Sequence, residues 1–499
     1  MMADNRKKIF LSEIPELHMK SRAILEGIAA SGQPVYLMGG AISRVVKNED
    51  DNKAKIEPLS PYTMRHETSR ACRCLKMKPG DGGRSYYTEI IPPLDVMRDA
   101  LAAREIPLPS IVGILSHPTM SEGGEIINKA GYNPETKFYI DADAEILKAA
   151  ENIPAAPTSD EFYEAGKYIL EVIQDFPFKS EADIAGYFAF LLTLILLPLI
   201  KGPIPLFLIK APAPGTGKSL LTDTALIITT GRESSPTPWP KENEEELKKT
   251  LHSLFLSGVE YILLDNVNTK INSGALAAVA TTRRLSCRLL GASIIADVPC
   301  NAPIVITANN PDLSRENARR CVVIEVASDF ENPAERTVEF KHPDLRKFVL
   351  NNRAGLIRAC LVMARTWFAG GCDTSGVKIL PSFEGWSRTI GGILKACGII
   401  GFLENTGKFF SAADEEVVNF AAFAQAWYNE KGEYPVLVKN ILHIAREYGF
   451  ADERKPESSQ AKSLGHILKR KQDMVFSGVK ITRGDTFSGG VMTWKTVKI

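Results

Sequence analysis

The stretch Ala211 to Ser219, APAPGTGKS, sets the tightest limit on how this chain folds. An apolar run, Leu206 to Ile209 (LFLI), precedes it, and helix-prone sequence, LLTDTALIITTG, follows. Strand, glycine loop, Gly-Lys-Ser and helix in that order make a phosphate-binding loop, which belongs in an α/β core. Pro214, Gly215, Thr216 and Gly217 would form the loop that cradles the phosphates, with Gly215 and Gly217 letting the backbone amides turn inward. Lys218 would carry an ammonium to the β and γ phosphates and Ser219 a hydroxyl to Mg²⁺. Leu220 lies in the first turn of a helix whose amino end favours anions. Pro212 stands where such loops usually carry their first glycine, a departure that reshapes only the entrance.

Two more apolar runs end in residues suited to the same chemistry. Glu260 to Asn268 reads EYILLDNVN, a buried strand presenting Asp265 at its carboxyl edge, where a carboxylate completes the shell of Mg²⁺. The next position is Asn266, whose amide takes no proton and so offers no base to an attacking water. Pro303 to Thr307 (PIVIT) runs into Ala308-Asn309-Asn310-Pro311. An asparagine at that strand tip would contact the γ-phosphate or the lytic water, with Asn309 preferred and Asn310 in reserve. Beyond it, DLSRENARRCVVIEV places Arg319 and Arg320 just before another strand, with Arg315 behind them. An always-charged planar guanidinium suits phosphate oxygens, which makes these arginines candidate phosphate contacts.

Between those strands lies a segment a minimal nucleotide-hydrolysing core would not need, RRLSCRLLGASIIADVPC. Runs at Cys287–Leu290 and Ile294–Val298 around Gly291-Ala292-Ser293 have the grammar of a β-hairpin. Arg284 and Arg288 near its base are candidate contacts to nucleic-acid phosphates. A net charge of +1 over 499 residues says nothing for or against such a partner, so the signal must be local. Gln460 to Ile499 supplies one: eight Lys or Arg against two Asp leave it at +6. There AKSLGHILKRKQ reads as a helix, followed by VKIT, a GDTFSGG turn and VMTWKTV, the layout of a winged helix with Lys469, Arg470 and Lys471 as candidate DNA contacts.

The remaining sequence excludes several classes. Ile184 to Ile200 (IAGYFAFLLTLILLPLI) is almost wholly apolar, but a span needs about 20 residues and Pro198 interrupts this one, so it reads as a buried helix and no membrane partner is expected. The eight cysteines form no CxxC pair and no secretory signal opens the chain, which suits reduced thiols in the cytoplasm. Short strands are expected at Pro34–Leu37 and Ala41–Val46, a loop from Lys47 to Pro61, a helix from Leu94 to Arg104, and strand–turn–strand over Gly123–Asp141. Helices are expected at Glu161–Asp175, Asp344–Phe368 and Phe383–Leu403. The expected division is a 1–152 α+β accessory domain, a 158–330 core, a 331–412 helical lid and a 413–499 winged-helix domain.

In order and spacing, PLFLIKAPAPGTGKSLLTD, YILLDNVN, RLLGAS, VITANNPDLS and NARRCVVIEV resemble the AAA+ helicase module of phage, plasmid and genomic-island primase-helicases, near the superfamily 3 and minichromosome-maintenance-like groups. GYNPETKFY and FEGWSRTIGGILKACGIIGFL look like segments of the same family. The resemblance implies a homo-oligomeric, hexameric ring around DNA, single-stranded in the pore and duplex at the winged helix. It further implies ATP hydrolysis with Mg²⁺ at subunit interfaces, a lid in which Arg388 would read the nucleotide, and replication of a phage or mobile element. Many relatives carry a primase upstream; none is evident here, so a separate primase is the expected partner. An ATP-switched replication initiator or loader with little turnover is the alternative that Asn266 favours. A defence or protein-remodelling ATPase is a third, which the basic tail disfavours.

Overall fold

The computed structural model describes residues 4, 6–49, 52–212, 215–240, 243–288, 295–309, 311, 313–327, 341–484 and 492–499, the side chains of 287, 288, 295, 296 and 408–417 excepted. The chain packs as two units, one of 1–312 with 319–406 and one of 313–318 with 407–499.

The first unit opens with β1 Lys7–Phe10, α1 Leu17–Ala30, β2 Val35–Met38, β3 Ala41–Lys47, β4 Ala54–Pro58, α2 Pro61–Ala71, β5 Cys72–Pro79, β6 Ser85–Glu89 and α3 Leu94–Ala102. β5 pairs in parallel with β1 and antiparallel with β6, and the three helices bury Ile24, Met64 and Met97 against Ile9, Cys72 and Cys74 of that sheet. β2, β3 and β4 make a second, antiparallel sheet. The expected loop over Lys47–Pro61 therefore contains a strand. Ile56 is the one fully buried side chain of β4, so no apolar alternation announces it, and its bonds to β3 hold it in place.

Short strands follow: β7 Gly113–Leu115, β8 Thr119–Met120, β9 Ile126–Ile127, β10 Gly131–Tyr132 and β11 Phe138–Ile140, then α4 Ala144–Lys148. β10 and β11 are antiparallel around a turn that Asn133 closes, its Oδ1 accepting the Thr136 N–H at 2.8 Å. α5 Ser159–Ile173 starts at a capping box in which Thr158 and Glu161 each bond the other's backbone N–H.

The rest of this unit is a wrapped parallel sheet. Its elements are α6 Glu181–Ile195, β12 Leu206–Ala211, α7 Lys218–Thr230, α8 Glu244–Leu256, β13 Ile262–Val267, α9 Gly274–Ala280, β14 Arg284–Arg288, β15 Ile295–Pro299, β16 Ile304–Asn309 and β17 Cys321–Glu325, while α10 Arg315–Ala318, between the last two strands, belongs to the second unit. The strand order is β13–β16–β12–β17, every pair parallel, and β14 pairs with β15 as a separate antiparallel ribbon. The ribbon begins three residues earlier than its apolar run suggested, at Arg284, and its expected tip at 291–293 lies outside the described residues. α6 is apolar all round because it is enclosed by β17, α7 and, from further along the chain, α13 Glu384–Ala396. Among the described residues no helix is long and apolar enough to cross a membrane.

The expected helix over Asp344–Phe368 is two helices, α11 Leu345–Asn351 and α12 Arg353–Ala369. They break at Asn352, whose amide donates to the Phe348 carbonyl at 2.8 Å while its oxygen accepts from the Tyr168 hydroxyl at 2.8 Å. The next expected helix ends short of Leu403, because Gly398 at φ 70 closes α13 with a bond from Ile399 N–H to Leu394 O at 2.9 Å. In the second unit α14 Thr406–Lys431, α15 Leu442–Glu447 and α16 Glu457–Arg470 precede β18 Val475–Phe476, β19 Val479–Arg483 and β20 Trp494–Lys498, an antiparallel sheet. Phe420, Phe423, Trp427, Leu464, Leu468 and Trp494 form its core, and Val436 bridges Trp494.

Trp386 ties the first unit together. It is fully buried, donates Nε1–H to Thr193 Oγ1 at 2.8 Å and packs near Phe207 and Phe402. Trp386→Ala should cost about 3–5 kcal/mol, read as a lowered urea midpoint for the transition of this unit.

Candidate active site

Parallel pairing carries the carboxyl ends of β12, β16 and β13 to one edge of the sheet, with β16 between the other two. Ala211 at the end of β12 is level with Asn309 at the end of β16, and Ala308 with Val267 of β13. Three sequence-predicted residues converge there. Lys218 Nζ donates to Asn309 Oδ1 at 2.5 Å. Thr307, two residues before Asn309 and on the same strand, donates its hydroxyl hydrogen to Asp265 Oδ1. Burial pushes the Lys218 ammonium below its usual range, and the Asp265 carboxylate pulls it back up.

The loop before α7 is shaped for anions. Gly215 has φ 80 and Gly217 φ 92, the left-handed region that glycine enters without penalty. A Cβ on Gly217 would also lie 3.1 Å from the Phe176 ring. Gly217 caps α7 with no side chain, so it leaves the N–H groups of the first turn to an incoming anion. Thr216 and Lys218 are buried, Ser219 is exposed and Leu220 half-buried, while Pro214 lies outside the described residues. The ordered groups fit a magnesium nucleotide: inward-turning loop, buried ammonium, exposed hydroxyl and an anchored carboxylate.

Asn266 occupies an unusual backbone. Its φ is 52, and the β13–β16 register slips between Leu264 and Val267, so Asp265 and Asn266 form a bulge. Thr307 holds both: its Oγ1 accepts the Asn266 N–H at 2.8 Å as its hydrogen goes to Asp265. Asparagine tolerates this left-handed conformation better than glutamate does. Neither Thr307 nor the bulge was found from sequence, because a threonine inside PIVIT looks like ordinary β-strand composition.

α7 is gripped from its side and far end by residues of α11 and α12. Arg346 donates from Nε and Nη2 to Asp223 Oδ2 at 3.0 and 2.5 Å. Arg353, 6% exposed, donates to the carbonyls of Ile228 at 2.9 Å and Thr229 at 2.6 Å, where α7's negative end favours a cation. Gly231 at φ 74 closes the helix beside it. These partners too had no signal in the sequence.

The other predicted residues lie elsewhere. Arg319 is exposed and Arg320 half-buried, and the Arg320 carbonyl accepts Leu206 N–H at 2.8 Å. That bond puts both at the amino end of β12 and β17, about 16 Å along the strands from the phosphate loop, so they do not serve Lys218 of their own chain. Arg388 is exposed on α13, and no bond among the described residues draws it to Lys218. Asn310 lies outside the described residues.

Arg284 pairs with Asp297 across the β14–β15 ribbon and donates to the Asp297 carbonyl at 3.1 Å; the Arg288 side chain is not among those described. Arg283, passed over in the sequence, anchors the ribbon's base through the Ile200 carbonyl at 2.6 Å and Asn301 Oδ1 at 3.0 Å. On α16 Lys469 and Arg470 are exposed and share a face with exposed Lys462 and His466, whereas Lys471 lies 4.8 Å over the Phe420 ring. The described residues hold no cluster of His, Cys, Asp or Glu able to bind a metal, and the seven described cysteines are free.

Asn266→Gly should leave thermal stability within a few tenths of a kcal/mol or raise it, while Asn266→Glu should lower it by about 1 kcal/mol. Equal melting curves for the two variants would deny the backbone a role in selecting this asparagine.

No protein-family model matches the chain, and no curated protein matches it. Solved structures similar to it include the apo NrS-1 C-terminal region, at 13% identity and TM-score 0.43 over 95% of this chain and 98% of that one. Another is SCCmec type IV Cch, titled an active helicase, at 10% identity and TM-score 0.33 over 93% and 97%. A third is the JCV helicase, at 14% identity and TM-score 0.22 over 53% and 75%. Identities and scores this low fix neither the fold nor the activity of this chain.

Proposed function

We propose that this chain is an ATP-driven DNA helicase or translocase of the AAA+ type, acting in replication of a phage or mobile element. The observation that carries the reading is the meeting of Lys218, Asn309 and the Thr307-held Asp265 at one edge of a parallel sheet. Mg²⁺ held by Ser219 and Asp265 would neutralise charge developing on the transferred phosphoryl group. Lys218 draws in the phosphates, Asn309 orients the Lys218 ammonium, and Thr307 keeps Asp265 aimed at the metal position.

Arg319 and Arg320 lie too far from Lys218 of their own chain, which suits arginines that complete a neighbour's site in a homo-oligomeric, hexameric ring. Segment 331–412, with α11 to α13, is read as the lid. The β14–β15 ribbon, with Arg284 and Arg288, would face single-stranded DNA in the pore. From 413 onward, three helices, the Val436–Trp494 bridge and the β19–β20 pair support a winged helix. Its exposed Lys462, His466, Lys469 and Arg470 would meet duplex phosphates.

Asn266 supports a second reading, an ATP-switched initiator or loader, because no carboxylate stands at the position that usually activates water. Steady-state ATPase with and without single-stranded DNA separates the two. Strong stimulation, lost by at least about 100-fold in Lys218→Ala, is expected for the motor. Weak turnover indifferent to DNA, with ATP-dependent assembly, would favour the switch. Full unwinding by Lys218→Ala would sink the motor reading.

A further inference from the structure

The β5–β6 ribbon lies far from Lys218 in sequence and takes no part in the nucleotide site. From Lys76 to Thr88 it overhangs the layer of α1, α2 and α3, whose packing onto β5 stops at Cys74. Its two faces differ in kind. On one, Tyr87 packs edge-on against Phe10 at 4.7 Å and donates its hydroxyl to Glu13, while Met77 N–H donates to Ser12 Oγ at 3.0 Å. That face is braced by residues 10–13. The nearby cations there are already neutralised: Arg73 by Glu89 at 2.9 Å and Arg6 by Asp4 at 2.7 Å.

The opposite face is open. Pairing sets Lys78 across from Tyr86 and Lys76 across from Thr88, so all four share it. Lys76, Lys78 and Arg84 are exposed, and among the described residues no hydrogen bond or ion pair engages their side chains. One acid, Asp81, sits in the turn. Tyr86 is 54% exposed and its ring lies beside the turn, where a Cβ on Gly80 would come within 3.2 Å of it. A phenol ring beside unneutralised cations on a braced strand pair matches what an unpaired base and its phosphates require.

We propose that this face binds single-stranded nucleic acid, with Lys76, Lys78 and Arg84 on backbone phosphates and Tyr86 stacking one base. The aromatic platform favours a single strand over a duplex, whose bases are already stacked. The proposal does not depend on the reading of the nucleotide site, because ATP has no part in the contact.

The test is fluorescence anisotropy on the full chain at low salt without nucleotide, using oligothymidylate and oligouridylate of about 16 nucleotides. A Lys462→Ala/Lys469→Ala/Arg470→Ala parent takes the Lys and Arg side chains of that α16 face out of the measurement. On that parent, Tyr86→Ala should weaken binding about tenfold and Tyr86→Phe should not. Lys76→Ala/Lys78→Ala should flatten the dependence of log affinity on log salt by about 1.4. Whichever oligomer shows these losses identifies DNA or RNA as the strand. Wild-type affinity and salt slope in all the ribbon variants, at unchanged melting temperature, would overturn the proposal. Equal losses on a duplex would also overturn it.

Discussion

Parallel strands all finish at the same edge, and no tight turn can join them, so each must be followed by a crossover that begins there. In this chain that constraint gathers the phosphate loop after β12, the bulge in β13 and the tip of β16 without any bond between distant loops. Placing β16 in the middle adds the chemistry. One strand carries Thr307, which reaches toward β13, and Asn309, which reaches toward the loop after β12. The remaining elements follow from the need to cover that sheet. α6 does so from within, and for that reason has almost no polar face.

The sheet-edge residues were readable because each ends a run of buried apolar residues, a pattern with few alternatives once a glycine loop fixes the first. Gly215, Gly217 and Lys218 declare themselves by type and spacing. Residues that act through others do not. Thr307 is one β-branched residue within a β-strand, and Arg346 and Arg353 are two among many arginines; only the fold reveals that they hold Asp265 and α7. β4 escaped notice because one apolar side chain makes no period. The break at Asn352 was hidden because a side-chain bond to Phe348, not a glycine or proline, interrupts the helix.

Residues 7–140 pack onto the sheet-bearing part of the same unit through specific backbone bonds. Ile56 N–H reaches the Ser257 carbonyl at 3.2 Å and Ile114 N–H the Gly258 carbonyl at 3.3 Å. Gly258, at φ 68, has no room for a Cβ, which would lie 2.5 Å from Ile56. Glu260, two residues on, is half-buried and accepts from the N–H and hydroxyl of Ser116, each at 2.7 Å, while desolvation pushes its carboxyl up. Asp297 of the β14–β15 ribbon donates its N–H to the Gly39 carbonyl at 3.2 Å. These are directional contacts, and they make the amino-terminal sheets part of the wall against which β13 is built.

The double grip on α7 has a thermodynamic corollary. A helix of 13 residues, about 20 Å long, is held at one end by the phosphate loop and at the other by Arg353, with Arg346 along its flank. It moves as a rod or not at all, since bending it would strip buried carbonyls of their donors. Whatever free energy a bound anion spends in shifting the rod is felt at α11 and α12, and any force that repositions those helices alters anion affinity by the same amount. Occupancy at one end and geometry at the other are thus a single equilibrium measured at two places.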